Sequence, residues 1–240
     1  MKIEPAETGS VVKAGSRELH GISPYVNSKA PKPLLRADFA HGTARALVRM
    51  REPDAIYYEN VLSNAECDYL VRTARKRLVR SEVVDHETGG GVQHPIRTSS
   101  GMSFSRFENK VIESIENRLA HLLQWPVRKS EPLALLCYKP GEYYNEHFDY
   151  FDYFTKGSEI HRANGGNRVA TLILYLSDCA QGGETLLADV GLEALPKKGS
   201  AFFFAYPNPH SSSLTRHAGR PPGKGVKWIA TRWLKEGNFT

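Results

Sequence analysis

Hydrophobic positions along the chain change texture near residue 130. Before it the apolar residues recur at helical spacing. AIYYENVL at 55–62 reads as a strand, and Ser63-Asn64-Ala65-Glu66 has the spacing of a capping box, in which each side chain satisfies a free backbone donor. A helix is expected to follow, with Cys67, Leu70, Val71, Ala74 and Leu78 on one stripe. Ser105-Arg106-Phe107-Glu108 repeats the capping-box spacing. Phe107, Val111, Ile112, Ile115, Leu119 and Leu122 then recur every three or four residues until Trp125-Pro126 ends the helix. Beyond residue 130 the runs are short and of β type: PLALLCY, YYNEHFDYF, RVATLILYL, SAFFFAY and GVKWIATRWL, separated by Pro, Gly, Asn and Ser.

Helices followed by closely spaced strands predict an α+β domain in which the helices cover one sheet of a sandwich or barrel. Residues 1–50 lack sustained periodicity and are expected to be a partly extended N-terminal arm, with a short helix over 39–50; residues 51–240 form the domain. Two loops stand out. HETGGGVQHP at 86–95 carries three consecutive glycines, poorly suited to the interior of a helix or strand, and TKGSEIHRANGGN at 155–167 has the length and polarity of a lid.

Composition narrows the class. A 240-residue chain with 40% apolar and 24% charged residues can bury a core without disulfides or a structural metal. Cys67, Cys137 and Cys179 are odd in number and far apart, which suits a reducing cytosol and argues against a zinc site. The N-terminus lacks the apolar stretch of a secretory signal, and no run approaches the roughly 18 apolar residues of a membrane span. A cytoplasmic protein with no membrane partner is expected. The net charge of +6 is dispersed except for Arg72, Arg75, Lys76, Arg77 and Arg80, a run with no interleaved aromatics, so no nucleic-acid partner is expected.

The chemistry is concentrated in His147-Phe148-Asp149. On a strand, alternation places the imidazole and the carboxylate on one face, two residues apart. With a second histidine from a distant strand they make a 2-His-1-carboxylate triad, which leaves positions open on Fe(II). Of the remaining histidines only His210 and His217 lie near a late strand, and His217 is the better placed. Ten positions on, Lys227 begins a strand whose alternation puts Lys227, Ile229, Thr231 and Trp233 on one face. A lysine facing an apolar interior needs an anion there, or an exposed edge.

Taken together, IRTSSGM at 96–102, LLCYKPGEYYNEHFDYF at 135–151, GGNRVATLILYLSD at 165–178, GGETLL at 182–187 and RHAG followed by KWIATRW resemble the prolyl 4-hydroxylases of the Fe(II)- and 2-oxoglutarate-dependent dioxygenase superfamily. The resemblance runs from about Tyr57 to Trp233. It implies a double-stranded β-helix (jelly-roll) core with the N-terminal helices packed on one sheet. It also implies that His147, Asp149 and His217 are the iron ligands and that Lys227 pairs with the distal carboxylate of 2-oxoglutarate. Tyr138 and Thr171 match polar positions that would hydrogen-bond this cosubstrate. The expected cofactors are Fe(II), 2-oxoglutarate and O2, with ascorbate as a candidate reductant.

In peptidyl members a proline-rich segment lies beside the iron under two mobile loops. The positions lining that groove correspond here to Arg97, Ser99, Glu131, Tyr144, Arg168 and Trp233. Lys235, just past Trp233, and the GGGVQHP loop depart from the family pattern and bear on specificity. The expected reaction is 4-hydroxylation of a proline in a peptide or protein. The alternatives are the same chemistry on a free amino acid or small metabolite, and a non-catalytic module that binds proline-rich segments. The sequence sets neither the natural substrate nor the oligomeric state.

Overall fold

The computed structural model describes residues 30–240, so residues 1–29 of the expected arm lie outside the described residues. Strands β1 (Arg36–Phe39), β2 (Gly42–Met50) and β3 (Asp54–Glu59) lead into helix α1 (Asn64–Ala74). Short strands β4 (Val79–Arg80), β5 (Val83–Val84), β6 (Gly91–Val92) and β7 (Ser100–Ser103) precede helix α2 (Lys110–Leu123). Next come β8 (Ala134–Tyr138), β9 (Tyr144–His147), the short helix α3 (Gly157–Ala163) and β10 (Arg168–Tyr175). The chain continues through β11 (Gln181–Gly182), β12 (Thr185–Leu187), β13 (Leu192–Ala194) and β14 (Ala201–Ala205) to β15 (His217–Gly219), β16 (Pro222–Lys224) and β17 (Lys227–Lys235).

The larger sheet is antiparallel with strand order β1-β2-β3-β14-β10-β17-β8-β7-β4, and it faces a smaller sheet ordered β13-β12-β15-β9. Period-2 alternation in the larger sheet feeds two cores. Leu135, Leu172, Leu174, Phe203, Ala230 and Leu234 point toward the helices, where they meet Leu70 of α1 and Ile112, Ile115 and Leu119 of α2. The alternate residues Leu136, Tyr138, Ile173, Tyr175, Phe202, Phe204 and Ile229 point between the sheets, toward Leu187 and Ala194. Each such side chain, fully buried, contributes about 1.5–3 kcal/mol. The expected jelly roll with helices on one sheet is what forms, and among the described residues no helix is long and apolar enough to cross a membrane.

The Ser63–Glu66 capping box opens α1 as its spacing predicts. Three local expectations are corrected. Residues 39–50 do not form a helix: Phe39 to Met50 belong to the β1–β2 hairpin, which pairs with β3, so the boundary drawn at residue 50 falls inside the sheet. The helical spacing there was an accident of a strand whose neighbours decide its state. The second helix begins four residues later than the Ser105 motif suggests. Glu108 Oε2 does accept from the Ser105 amide at 2.9 Å, but Phe107 takes a left-handed φ of 54°, which stops helix propagation. Asn109 caps α2 instead, its Oδ1 accepting from Val111 and Ile112. Finally, the glycine run of the 86–95 loop, poorly suited to a strand, contributes Gly91 to the short strand β6, which pairs with β5, and the loop docks on α3, where Gly157 N–H donates to His86 O at 2.8 Å.

On the helix side of β17 sits a buried ion pair, Arg232 Nη1 to Glu116 Oε1 of α2 at 2.5 Å, with side-chain exposures of 2% and 0%. Glu116 Oε2 also accepts from the Phe107 amide at 2.9 Å. Removing one partner strands the other charge. Glu116→Ala should therefore lose about 3–5 kcal/mol of unfolding free energy in urea, whereas Glu116→Leu combined with Arg232→Met should recover most of it.

Candidate active site

β9 and β15 are adjacent antiparallel strands of the smaller sheet, and their register sets His147 directly opposite His217. Cross-strand partners project from the same face, so the two rings meet with centroids 4.2 Å apart. Each ring is aimed by its own backbone. His147 Nδ1 donates to Asn145 O at 2.7 Å and His217 Nδ1 donates to Thr215 O at 3.0 Å, which leaves both Nε2 lone pairs free. Those atoms lie 3.7 Å from Asp149 Oδ1 and 3.5 Å from Asp149 Oδ2.

Burial pulls the His147 pKa down to about 3, reinforced by His217, so the imidazole is neutral at neutral pH. Burial acts upward on Asp149 but is outweighed by His217, His147, Arg168 and the Thr171 hydroxyl, which hold its carboxyl at about 2. Two imidazole nitrogens and a carboxylate thus converge within 4.8 Å of one another. Lone pairs aimed at one point repel unless a cation lies between them, and this donor set fits Fe(II) with coordination positions to spare.

The surroundings supply partners for several of the expected residues. The Thr171 hydroxyl, expected to contact the cosubstrate, donates to Asp149 Oδ2 at 2.7 Å and lies 2.6 Å from the Tyr206 hydroxyl. Tyr206 is the residue that the sequence reading missed, although inward alternation from Phe202 and Phe204 points to it. Ser99, expected in the substrate groove, is 0% exposed and bonds inward to Ser81 at 3.0 Å. Glu131 and Arg168 are joined by a two-pronged bridge of 2.6 and 2.7 Å, so their facing groups are committed to each other. His210 caps a tight turn at 211–213 and is not among the convergent ligands.

The remaining expected residues are placed as follows. Lys227 is 1% exposed on the inner face of β17, opposite Tyr138 of β8 and 5.2 Å from its ring. Among the described residues it makes no ion pair, and burial lowers its pKa to about 8 against the opposing pull of Cys179 and Glu184. A buried ammonium without a carboxylate is the fit expected for an acidic ligand. Tyr144 stacks on His147 with centroids 3.6 Å apart, and the Arg97 guanidinium lies 4.8 Å above the Tyr144 ring. Arg97 Nε and Trp233 Nε1 are buried donors with no hydrogen-bond partner among the described residues. A separate cavity of about 680 Å³, bounded by Met50, Tyr57, Leu192, Phe202 and Cys179, contains none of the three ligands.

The fold and this triad define a class, and comparison with known proteins identifies it. Residues 133–235 match the family model of the 2OG-Fe(II) oxygenase superfamily. Prolyl 4-hydroxylase 5 of Arabidopsis thaliana is 37% identical over 209 residues, spanning 78% of this chain and 70% of that protein. Prolyl 4-hydroxylase 2 of the same plant is 34% identical over 215 residues, spanning 78% and 69%. A viral collagen prolyl hydroxylase from Paramecium bursaria Chlorella virus-1, solved with 2OG, superposes with a TM-score of 0.57 at 28% identity, covering 75% of this chain and 94% of that one. A Pseudomonas putida prolyl-4-hydroxylase shares the fold with a TM-score of 0.53 at 19% identity, covering 75% and 92%. The chain belongs to the prolyl 4-hydroxylase family of 2OG-Fe(II) oxygenases.

The ligand geometry makes a direct prediction. His217→Ala or Asp149→Ala should weaken Co(II) binding by more than about 100-fold, beyond the range typical of losing only an outer hydrogen-bond partner, as read by visible absorption titration. His210→Ala should bind Co(II) as the parent does.

Proposed function

We propose that the protein hydroxylates the 4-position of a proline residue in a peptide or protein, converting 2-oxoglutarate and O2 to succinate and CO2. Iron held by His147, Asp149 and His217 supplies the redox chemistry that couples the two conversions. The protein's own residues do the rest. Lys227 takes the distal carboxylate of 2-oxoglutarate in the dry interior, with the Tyr138 ring beside it. Thr171 holds Asp149, and the Tyr206 hydroxyl in turn bonds the Thr171 hydroxyl.

The observation that carries the peptide reading is that, of the five buried side-chain polar atoms without a partner among the described residues, two donors, Arg97 Nε and Trp233 Nε1, belong to the expected groove. A buried N–H without a partner costs about 1–3 kcal/mol, and an extended proline-containing chain offers carbonyl oxygens and flat rings but few N–H groups. Tyr144 and Trp233 add aromatic surface for those rings, and Arg168 lies 4.1 Å over the Trp233 ring. The names of the similar plant and viral proteins support the same reading.

Two outcomes follow. With Fe(II), ascorbate and 2-oxoglutarate, a proline-rich peptide should stimulate succinate formation and gain hydroxyproline by mass spectrometry. Arg97→Ala, Tyr144→Ala and Trp233→Ala should each raise the peptide KM about tenfold or more, the effect of losing roughly 1.4 kcal/mol. Full peptide turnover in all three variants would contradict the groove, and turnover of free proline alone would move the substrate to a small molecule. The second concerns pH. With its pKa lowered to about 8, Lys227 loses its proton as pH rises past 8 in the cosubstrate-free protein. Affinity for 2-oxoglutarate should then fall by up to about tenfold per pH unit, and Lys227→Met should bind weakly with no such slope, by isothermal titration of the metal-loaded protein.

A further inference from the structure

Asp149 is the one member of the triad that lies outside the strands. β9 ends at His147, and the chain from Phe148 to Lys156 crosses to α3 with no ladder partner. Yet Asp149 is 7% exposed and Phe151 6%, so this irregular segment is packed and its backbone groups need partners. Side chains from two consecutive residues at the start of β10 provide them.

Asn167, 1% exposed, forms a closed pair of bonds with one residue's backbone: its Oδ1 accepts from Phe151 N–H and its Nδ2 donates to Phe151 O, both at 2.8 Å. An amide side chain used this way substitutes for a strand partner, because it alone offers an acceptor and a donor side by side. Next to it, Arg168 Nη1 donates to Asp149 O at 3.2 Å while Glu131 grips the rest of the guanidinium. The same group is stacked between the rings of Phe151, at 4.6 Å, and Trp233, at 4.1 Å. Asn167 is itself fixed from behind, since Glu236 Oε2 accepts from its backbone N–H at 2.7 Å. That approach needs Gly166, whose φ is 76° and whose added Cβ would sit 2.3 Å from the Glu236 carboxylate.

We propose that Asn167, bridging the Phe151 backbone with Arg168 bound to the Asp149 carbonyl, is a positioning residue that sets the carboxylate ligand before any metal arrives. The inference rests on His147, Asp149 and His217 being the metal ligands. Without the bridge, the segment around Asp149 relaxes in the metal-free protein and must be reordered when the ion binds, so affinity falls.

The test uses the full chain with Co(II) as probe. Asn167→Asp keeps the size and the acceptor but loses the donor to Phe151 O, and Asn167→Ala loses both. Both variants should bind Co(II) about 10-fold or more weakly, within the range for outer hydrogen-bond partners, with altered visible bands and parental far-UV circular dichroism. Arg168→Lys should act in the same direction. Amide exchange in the metal-free parent adds a measurement independent of any variant's folding: the Phe151 amide should be protected like a strand amide. Variant affinities within about twofold of the parent, or fast exchange at Phe151, would overturn the proposal. Failure of the parent itself to bind Co(II) would instead refute the ligand assignment, and the inference with it.

Discussion

The pairing of His147 with His217 across β9 and β15 is the constraint on which the site depends. A strand has period two, so a slip of one residue would turn one imidazole to the opposite face and leave the other without a mate. The pairing is kept by the smaller sheet and by its packing against the larger one, where Phe204 lies 4.8 Å from the His217 ring. Two carbonyls, Asn145 O and Thr215 O, then set the tautomer of each ring. Fold, ring orientation and lone-pair direction thus form one chain of cause, and Asp149 completes it from outside the strand ladder.

Buried charge separates architecture from chemistry in this molecule. Arg232 is matched by Glu116, and Arg168 by Glu131, each with direct hydrogen bonds. These pairs hold α2 to the sheet and the start of β10 to the β8 side of the barrel. Lys227 is as deeply buried and has no carboxylate bonded to it among the described residues. Isolated charge inside a protein is costly, which is why the exception points to a ligand while the matched pairs point to structure. Hydrogen-bonding groups show a weaker form of the contrast: Arg97 Nε and Trp233 Nε1, at expected groove positions, are buried without a partner among the described residues, as are Arg106 Nε, Asp54 Oδ1 and Asn208 Oδ1 elsewhere.

Much of this was legible in the sequence because it is local or periodic. The capping box at Ser63, the alternation through SAFFFAY and KWIATRW, and the HxD spacing each depend on a few neighbouring residues. Proximity to a late strand narrowed the second histidine to His210 and His217 and favoured His217, and the family resemblance pointed to the same residue. What stayed hidden depends on partners distant in sequence. The strand state of Phe39–Met50 is set by pairing with β3, and the roles of Thr171, Tyr206 and Asn167 are hydrogen bonds to residues 16 to 35 positions away. No local pattern marks a hydroxyl that bonds a carboxylate 22 positions away.

An anaerobic crystal structure of the protein with Fe(II) and 2-oxoglutarate tests the central claim most directly. The account predicts one ion bound to His147 Nε2, His217 Nε2 and the Asp149 carboxylate, with the distal carboxylate of 2-oxoglutarate on Lys227 Nζ. An ion held by other side chains, or 2-oxoglutarate bound away from Lys227, would contradict it.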